Sequence, residues 1–189
     1  MGDFLMNYLE ETQKAMTWLG KQKDTIFLGQ TVEYSGSPMY KSLEKVHSSK
    51  KKEMPVAEEM QMGMSIGMAL EGYIPISIFP RIDFLICATN QLVNHLDKVV
   101  KMSNGEFAPG VIIRTQIGNT KPLDPGPQHC GNYYSMLKAG LKNVNVVKIE
   151  DARNVIIFYR AAYIAACNGI STILIEMPQG GKDPNLYKK

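Results

Sequence analysis

Groups able to do chemistry are few in this sequence, and each stands beside an apolar run. Glu58 and Glu59 open the otherwise uncharged part of Met54 to Gly72, MPVAEEMQMGMSIGMALEG, where the next charge is Glu71. The stretch reads as a short extended lead-in that turns into a helix with two carboxylates in its first turn. An acid there either satisfies free backbone N–H groups at the helix start or, pointing into protein, needs a partner or a task. Arg81, Asp83 and Phe84 follow a second apolar run stopped by Pro80. Gln128 and His129 close a long irregular segment, Thr115 to His129, that holds three prolines and two glycines. Irregular segments of that length inside compact domains are usually functional or mobile. The planar fork of Arg81 suits a carboxylate or phosphate, and equally an interface salt bridge. Phe84 taken alone suits a core, and Glu59 a solvated or interface position.

The composition limits the classes open to the chain. Its 189 residues are enough for one well-filled core, so a single domain over 1–189 is expected. Hydrophobic residues make up 44% and charged residues 21%, and no apolar run approaches the roughly 20 residues that span a bilayer, so neither a membrane nor a membrane partner is expected. Acids within the first twenty residues argue against a signal peptide and for a cytoplasmic protein. Cys87, Cys130 and Cys167 are odd in number and far apart, which supports neither a disulfide framework nor a metal site. Net charge is +3, and the run Lys50 to Lys52 has no interleaved aromatics, so it reads as a solvated loop and no nucleic-acid partner is expected. His47 and His95 read as surface residues.

The elements that must position these groups follow from periodicity. Phe4, Leu5, Tyr8, Met16 and Leu19 fit a helical stripe that Asp3 can cap and Gly20 ends. Thr25 to Gly29 is a buried strand, followed by a loop from Gln30 to about Lys41 and a weak helix around Ser42 to Val46. The Met54 helix shows apolar or small residues on every side, which predicts burial all round, with a close partner helix against Gly63 and Gly67. Tyr73 to Phe79 is a strand. Asp83 reads as the N-cap of a long helix whose stripe is Leu85, Ala88, Leu92, Leu96 and Val99, closed at Asn104-Gly105. Gly110 to Arg114, Asn145 to Lys148 and Ser171 to Glu176 are strands, Asp151 to Cys167 a helix, and the polar tail from Gln179 is expected to fray. Apolar strands separated by helices argue an α/β fold: a doubly wound, mainly parallel sheet with helices on both faces. Ligands in such folds sit at the carboxyl ends of the strands, where three loops would bring Glu58, Arg81, Asp83, Phe84, Gln128 and His129 to one edge. No GxGxxG or GxxxxGK[ST] motif is present to cradle phosphate.

PVAE, the DF turn and QH on one sheet edge carry a resemblance. From about Asp24 to Met177 the chain resembles the pyrimidine-binding domain of thiamine diphosphate enzymes, most closely the amino-terminal domain of the beta subunit of 2-oxo acid dehydrogenases and more distantly the middle domain of transketolase. In that family a T-P-I-S-E-M segment opens a helix with the spacing G-x-x-x-G-x-x-x-x-G, matched here by Met54 to Glu59, Gly63, Gly67 and Gly72. The register continues through Phe84, Gln91, Asn94, Lys98 and Met102-Ser103 to Gly105. Arg114 and Gln128-His129 match the family's arginine and Q-H.

The resemblance implies that Glu58 is the catalytic glutamate that hydrogen-bonds the aminopyrimidine ring, that Phe84 packs on the ring, and that His129 lies near the substrate side; Gln128 beside it and Arg81, by its own chemistry, are candidate substrate contacts. It further implies thiamine diphosphate as cofactor, with Mg2+ held by a diphosphate-binding, alpha-type partner subunit, and a heterotetramer with a homodimeric contact through the Met54 to Gly72 helix. The small-molecule substrate would be a 2-oxo acid or ketose, cleaved by decarboxylation or ketol or acyl transfer. The chain departs from the pattern in Gln30-Thr31 where paired acids are usual, in Glu59 for methionine, and in Pro80-Arg81 where apolar or hydroxyl residues are usual. The family's carboxyl-terminal domain does not follow. The expectation is therefore a stand-alone subunit of a split enzyme, with two alternatives: a non-catalytic assembly or regulatory subunit, or a piece of a longer beta subunit.

Overall fold

Six short strands, most of them runs of branched side chains, build one sheet. The computed structural model describes residues 2–120 and 124–178, with side chains from residue 8 onward. The strands are β1 (Thr25–Gly29), β2 (Lys51–Glu53), β3 (Ile74–Ile78), β4 (Ile112–Gln116), β5 (Asn145–Ile149) and β6 (Thr172–Glu176). They pair in the order β2-β1-β3-β4-β6-β5, every pair parallel. Successive side chains leave opposite faces of a strand, so β4 and β6 feed two cores. Ile112 and Leu174 join Tyr8, Met16, Leu19, Phe27 and Tyr159 on one face. Ile113, Ile173 and Ile175 join Met62, Leu85, Leu92 and Leu137 on the other. The first face is covered by α1 (Gly2–Gly20) and α7 (Val155–Cys167), the second by α3 (Glu58–Leu70), the segment 82–102 and α6 (Tyr134–Gly140). This is the expected doubly wound α/β architecture. Asp3 lies inside α1, which begins at Gly2, and so does not stand at its N-cap; the side chains of Phe4 and Leu5 of the first stripe, and the tail from Gln179, lie outside the described residues or side chains.

Several elements differ from expectation. The Lys50 to Lys52 run is not a loop: Lys51 and Lys52 lie in β2, paired in parallel with β1 at the sheet edge. Lysines on an edge strand deter further pairing, and their lack of apolar alternation hid the strand. Glu53, the last residue of β2, accepts the N–H groups of Thr31, Val32 and Glu33 at 2.8, 2.7 and 2.8 Å, and so holds the turn after β1, where Thr31 has φ 60°. The weak helix expected at Ser42 to Val46 lies earlier, as α2 (Pro38–Ser42), because Ser37 caps it and Pro38 has the right φ for its start.

The long helix expected after Asp83 is present over residues 82–102 but is not uniformly α: right-handed helical φ/ψ continues through Ile86, Thr89, Asn90, Asp97 and Lys98 while the hydrogen-bonding pattern changes. The chain forms α4 (Ile82–Leu85), a 3-10 turn (Ile86–Ala88), a π turn (Gln91–Leu96) and α5 (Val99–Met102). Leu85, Ala88, Leu92 and Leu96 are still buried as the stripe requires. The π turn leads into Asp97, a buried carboxylate that accepts the N–H groups of Lys142 and Asn143 at 2.7 and 2.6 Å, while its carbonyl takes the Asn143 side chain. Tertiary demand for that acceptor outweighs local helix periodicity. Helix α6 had no expected counterpart.

The burial expected all round α3 is realised on one side only. Gln61, Met62, Ser65 and Ile66 are buried, whereas Met60 and Met64 remain 46% and 45% exposed. Among the described residues little meets the glycines: a Cβ at Gly67 would touch nothing within 4 Å, and one at Gly63 would meet only the side chain of Gln91, in the segment 82–102, at 3.7 Å.

Candidate active site at the carboxyl edge of the sheet

The start of α3 is seated on the sheet by one amide. Gln61, fully buried, donates from Nε2 to the carbonyl of Ile78 at 3.0 Å and to Ser77 Oγ at 3.1 Å, both near the carboxyl end of β3. Its Oε1 accepts from Gln30 Nε2 at 3.0 Å, and Gln30, just beyond β1, also reaches the Pro55 carbonyl at 3.2 Å. Gln61 was not singled out from sequence, although a lone amide inside an apolar helix face is a usable signal. The bonds place Glu58, one turn before Gln61, over the strand ends.

Glu58 is half-buried. Its carboxylate makes no hydrogen bond or ion pair among the described residues, and Ala57, the N-cap of α3, provides no side-chain cap. It is therefore not engaged in satisfying first-turn amides. Glu59 is exposed and accepts from Asn90 Nδ2 at 2.6 Å and Gln91 Nε2 at 3.4 Å, which ties α3 to the segment following α4.

From the end of β3 the chain passes Phe79, whose N–H bonds the Arg114 carbonyl at 2.9 Å, and turns into α4. Asp83 does not cap this helix. The N-cap is Arg81, and Oδ1 of Asp83 instead accepts the N–H of Gly131 at 3.0 Å. Phe84, half-buried, meets the His129 ring edge-on, with centroids 5.6 Å apart and planes at 90°. His129 ends a 3-10 turn (Pro127–His129), and Gln128 beside it is exposed. Arg81 is half-buried; its carbonyl accepts the N–H groups of Phe84 and Leu85, while its guanidinium makes no hydrogen bond or ion pair among the described residues. Two glycines allow these loops to interlock. A Cβ on Gly118 would lie 1.8 Å from the His129 carbonyl oxygen and 2.7 Å from an Arg81 guanidinium nitrogen, and one on Gly131 would lie 2.5 Å from Asp83 Oδ1. The structure thus joins Arg81, Asp83, Phe84 and His129 in one cluster at the edge that also carries Glu58.

Arg114 has a different setting. Its fully buried guanidinium forms a two-pronged pair with Glu176, at 2.8 and 3.1 Å, and donates to Ser42 Oγ at 2.7 Å; Tyr159 adds a bond to Glu176 at 2.5 Å. Burial first, then the Glu176 charge, holds the Tyr159 hydroxyl well above its ordinary pKa. This network ties β4, β6, α2 and α7 beneath the site.

In its all-parallel sheet with helices on both faces, and in the relatives that follow, the chain is similar to the pyrimidine-binding domain of thiamine diphosphate enzymes. No family model matches the chain. Among curated proteins it is similar to the pyruvate dehydrogenase E1 component subunit beta of Cyanidium caldarium, 33% identical over 110 residues that cover 56% of this chain and 33% of that protein. It is also similar to the 2-oxoisovalerate dehydrogenase subunit beta of Bacillus subtilis, 26% identical over 119 residues, 60% of this chain and 36% of that protein. The chain thus spans about a third of the length of these relatives. The fold is shared with a split-gene transketolase solved as an inactive beta4 tetramer, at a TM-score of 0.68 and 19% identity, over 89% of this chain and 50% of that one. Among the described residues no helix is long and apolar enough to cross a membrane.

Proposed function

We propose that the chain is the pyrimidine-binding, beta-type subunit of a heteromeric thiamine diphosphate enzyme that acts on a 2-oxo acid or ketose by decarboxylation or ketol or acyl transfer. The observation that carries this reading is the partnerless carboxylate of Glu58, held over the strand ends by the Gln61 bonds. A half-buried acid without a donor fits a ligand that brings an N–H group, as the aminopyrimidine ring does. Thiamine diphosphate, when bound, supplies the electron sink needed for cleavage beside a ketone. Glu58 accepts the hydrogen bond from the ring nitrogen and fixes its protonation, Phe84 packs on the ring, and His129, with Gln128 and Arg81, faces the substrate. The diphosphate and its Mg2+ are assigned to an alpha-type partner, in keeping with a sequence that has no glycine-rich phosphate motif.

The outer face of α3 supports the assembly. Met60, Met64 and Leu70 are exposed beside the bare backbone of Gly67, as a second copy of the same helix would require, which gives a homodimeric contact inside a heterotetramer. The test is reconstitution with a diphosphate-binding subunit. Glu58→Ala is expected to lower turnover by at least about 10²-fold, the usual contribution of a positioned acid or base, with partner binding intact. Undiminished turnover in that variant would leave the chain an assembly subunit, and turnover by the isolated chain would overturn the split site.

A further inference from the structure

Two polar atoms in the site cluster are closed off from solvent without a hydrogen-bond partner: Oδ2 of Asp83 and Nδ1 of His129. They are complementary, because a carboxylate oxygen only accepts and Nδ1 can carry a proton. The two segments are held against each other by the 3.0 Å bond from the Gly131 N–H, two residues after His129, to Asp83 Oδ1 and by the edge-on contact of Phe84, next to Asp83, with the His129 ring. The other charged group at this spot is Arg81, which approaches from the Gly118 side. An unpaired buried acceptor and an unpaired buried ring nitrogen are each destabilising, and a hydrogen bond between the two would remove both penalties.

We propose that Asp83 is a positioning residue for His129. One carboxylate oxygen holds the Gly131 amide and hence the loop, and the other accepts a hydrogen bond from Nδ1. The imidazole is thereby held with its proton on Nδ1 and its lone pair on Nε2, the nitrogen left for the substrate. The value of this arrangement rests on His129 facing the substrate, but the tautomer belongs to the chain itself and is read without catalysis.

The experiment is long-range 1H–15N NMR of the imidazole groups in the full chain at neutral pH, with His129→Gln assigning the signals. His129 should show a protonated, pyrrole-type Nδ1 and an unprotonated, pyridine-type Nε2. Asp83→Asn keeps an oxygen for Gly131 but turns N–H donors toward Nδ1, so the tautomer should invert to Nε2–H. Asp83→Ala, with no acceptor, should also give Nε2–H. A wild-type His129 protonated on Nε2, or a tautomer unchanged in Asp83→Asn, overturns the proposal, and the wild-type spectrum suffices if a variant fails to fold. If the tautomer is as stated while His129→Gln leaves a reconstituted complex fully active, the Asp83 pairing stands and the substrate-side role of His129 falls.

Discussion

Replacing Gln61 by leucine tests how the acid is seated. The two side chains are similar in size, so the change removes polarity with little change of packing. Three buried bonds are lost, to Ile78 O, Ser77 Oγ and Gln30 Nε2. At about 1–1.5 kcal/mol for each net bond, the loss is about 3–4.5 kcal/mol, against a total stability of about 5–15 kcal/mol for a domain. In urea, with m of about 1–3 kcal/mol/M, the unfolding midpoint should fall by about 1–4.5 M at unchanged m and fixed protein concentration. Ser65→Ala is the control. Ser65 Oγ bonds only the Gln61 carbonyl of its own helix, at 2.9 Å, so its removal should cost no more than about 1 kcal/mol. A Gln61→Leu midpoint within that of the control would refute the argument that this amide fastens the start of α3 to the strand ends. Glu58 would then be placed by apolar packing alone.

Other outcomes follow from the same structure. Gly67→Ala should stabilise the isolated chain by about 1 kcal/mol through helix propensity, since nothing lies within 4 Å of the added Cβ, yet weaken self-association in sedimentation if a second helix packs there. Arg114→Met should lower stability by about 3–5 kcal/mol in thermal or urea unfolding by leaving Glu176 buried without its cation, and the further change Glu176→Leu should restore part of it. Burial first, then the Glu176 charge, raises the Tyr8 hydroxyl above its ordinary value of 10.0. The folded state therefore keeps a proton that the unfolded state releases, so the stabilisation is complete below about pH 10 and lost as pH rises beyond it. Urea midpoints should fall between about pH 9 and 11, and less steeply in Tyr8→Phe.

The cluster of Arg81, Phe84 and His129 was foreseeable because each follows a strand, and parallel strands end on one edge. The role of Asp83 was not: next to an apolar stripe it looks like a helix cap, and only the approach of Gly131 from 48 residues away shows what it binds. Lys51 and Lys52 hid a strand for a related reason, since pairing with β1 rather than side-chain pattern makes them extended. The π turn before Asp97 answers to backbone donors of Lys142 and Asn143, which no local window contains.

Alternation of apolar runs with helical stripes, and the placing of an acid at the head of an uncharged helix, were determined by the sequence alone, because both arise from interactions a few residues long. Which polar atoms meet across the loops, and which are left without partners, was decided only in three dimensions. Hydrogen bonds saturate within about 3 Å, so their partners depend on where distant segments come to rest. Glu58 was visible as a candidate from its neighbours in the chain, and its want of a partner from its neighbours in space.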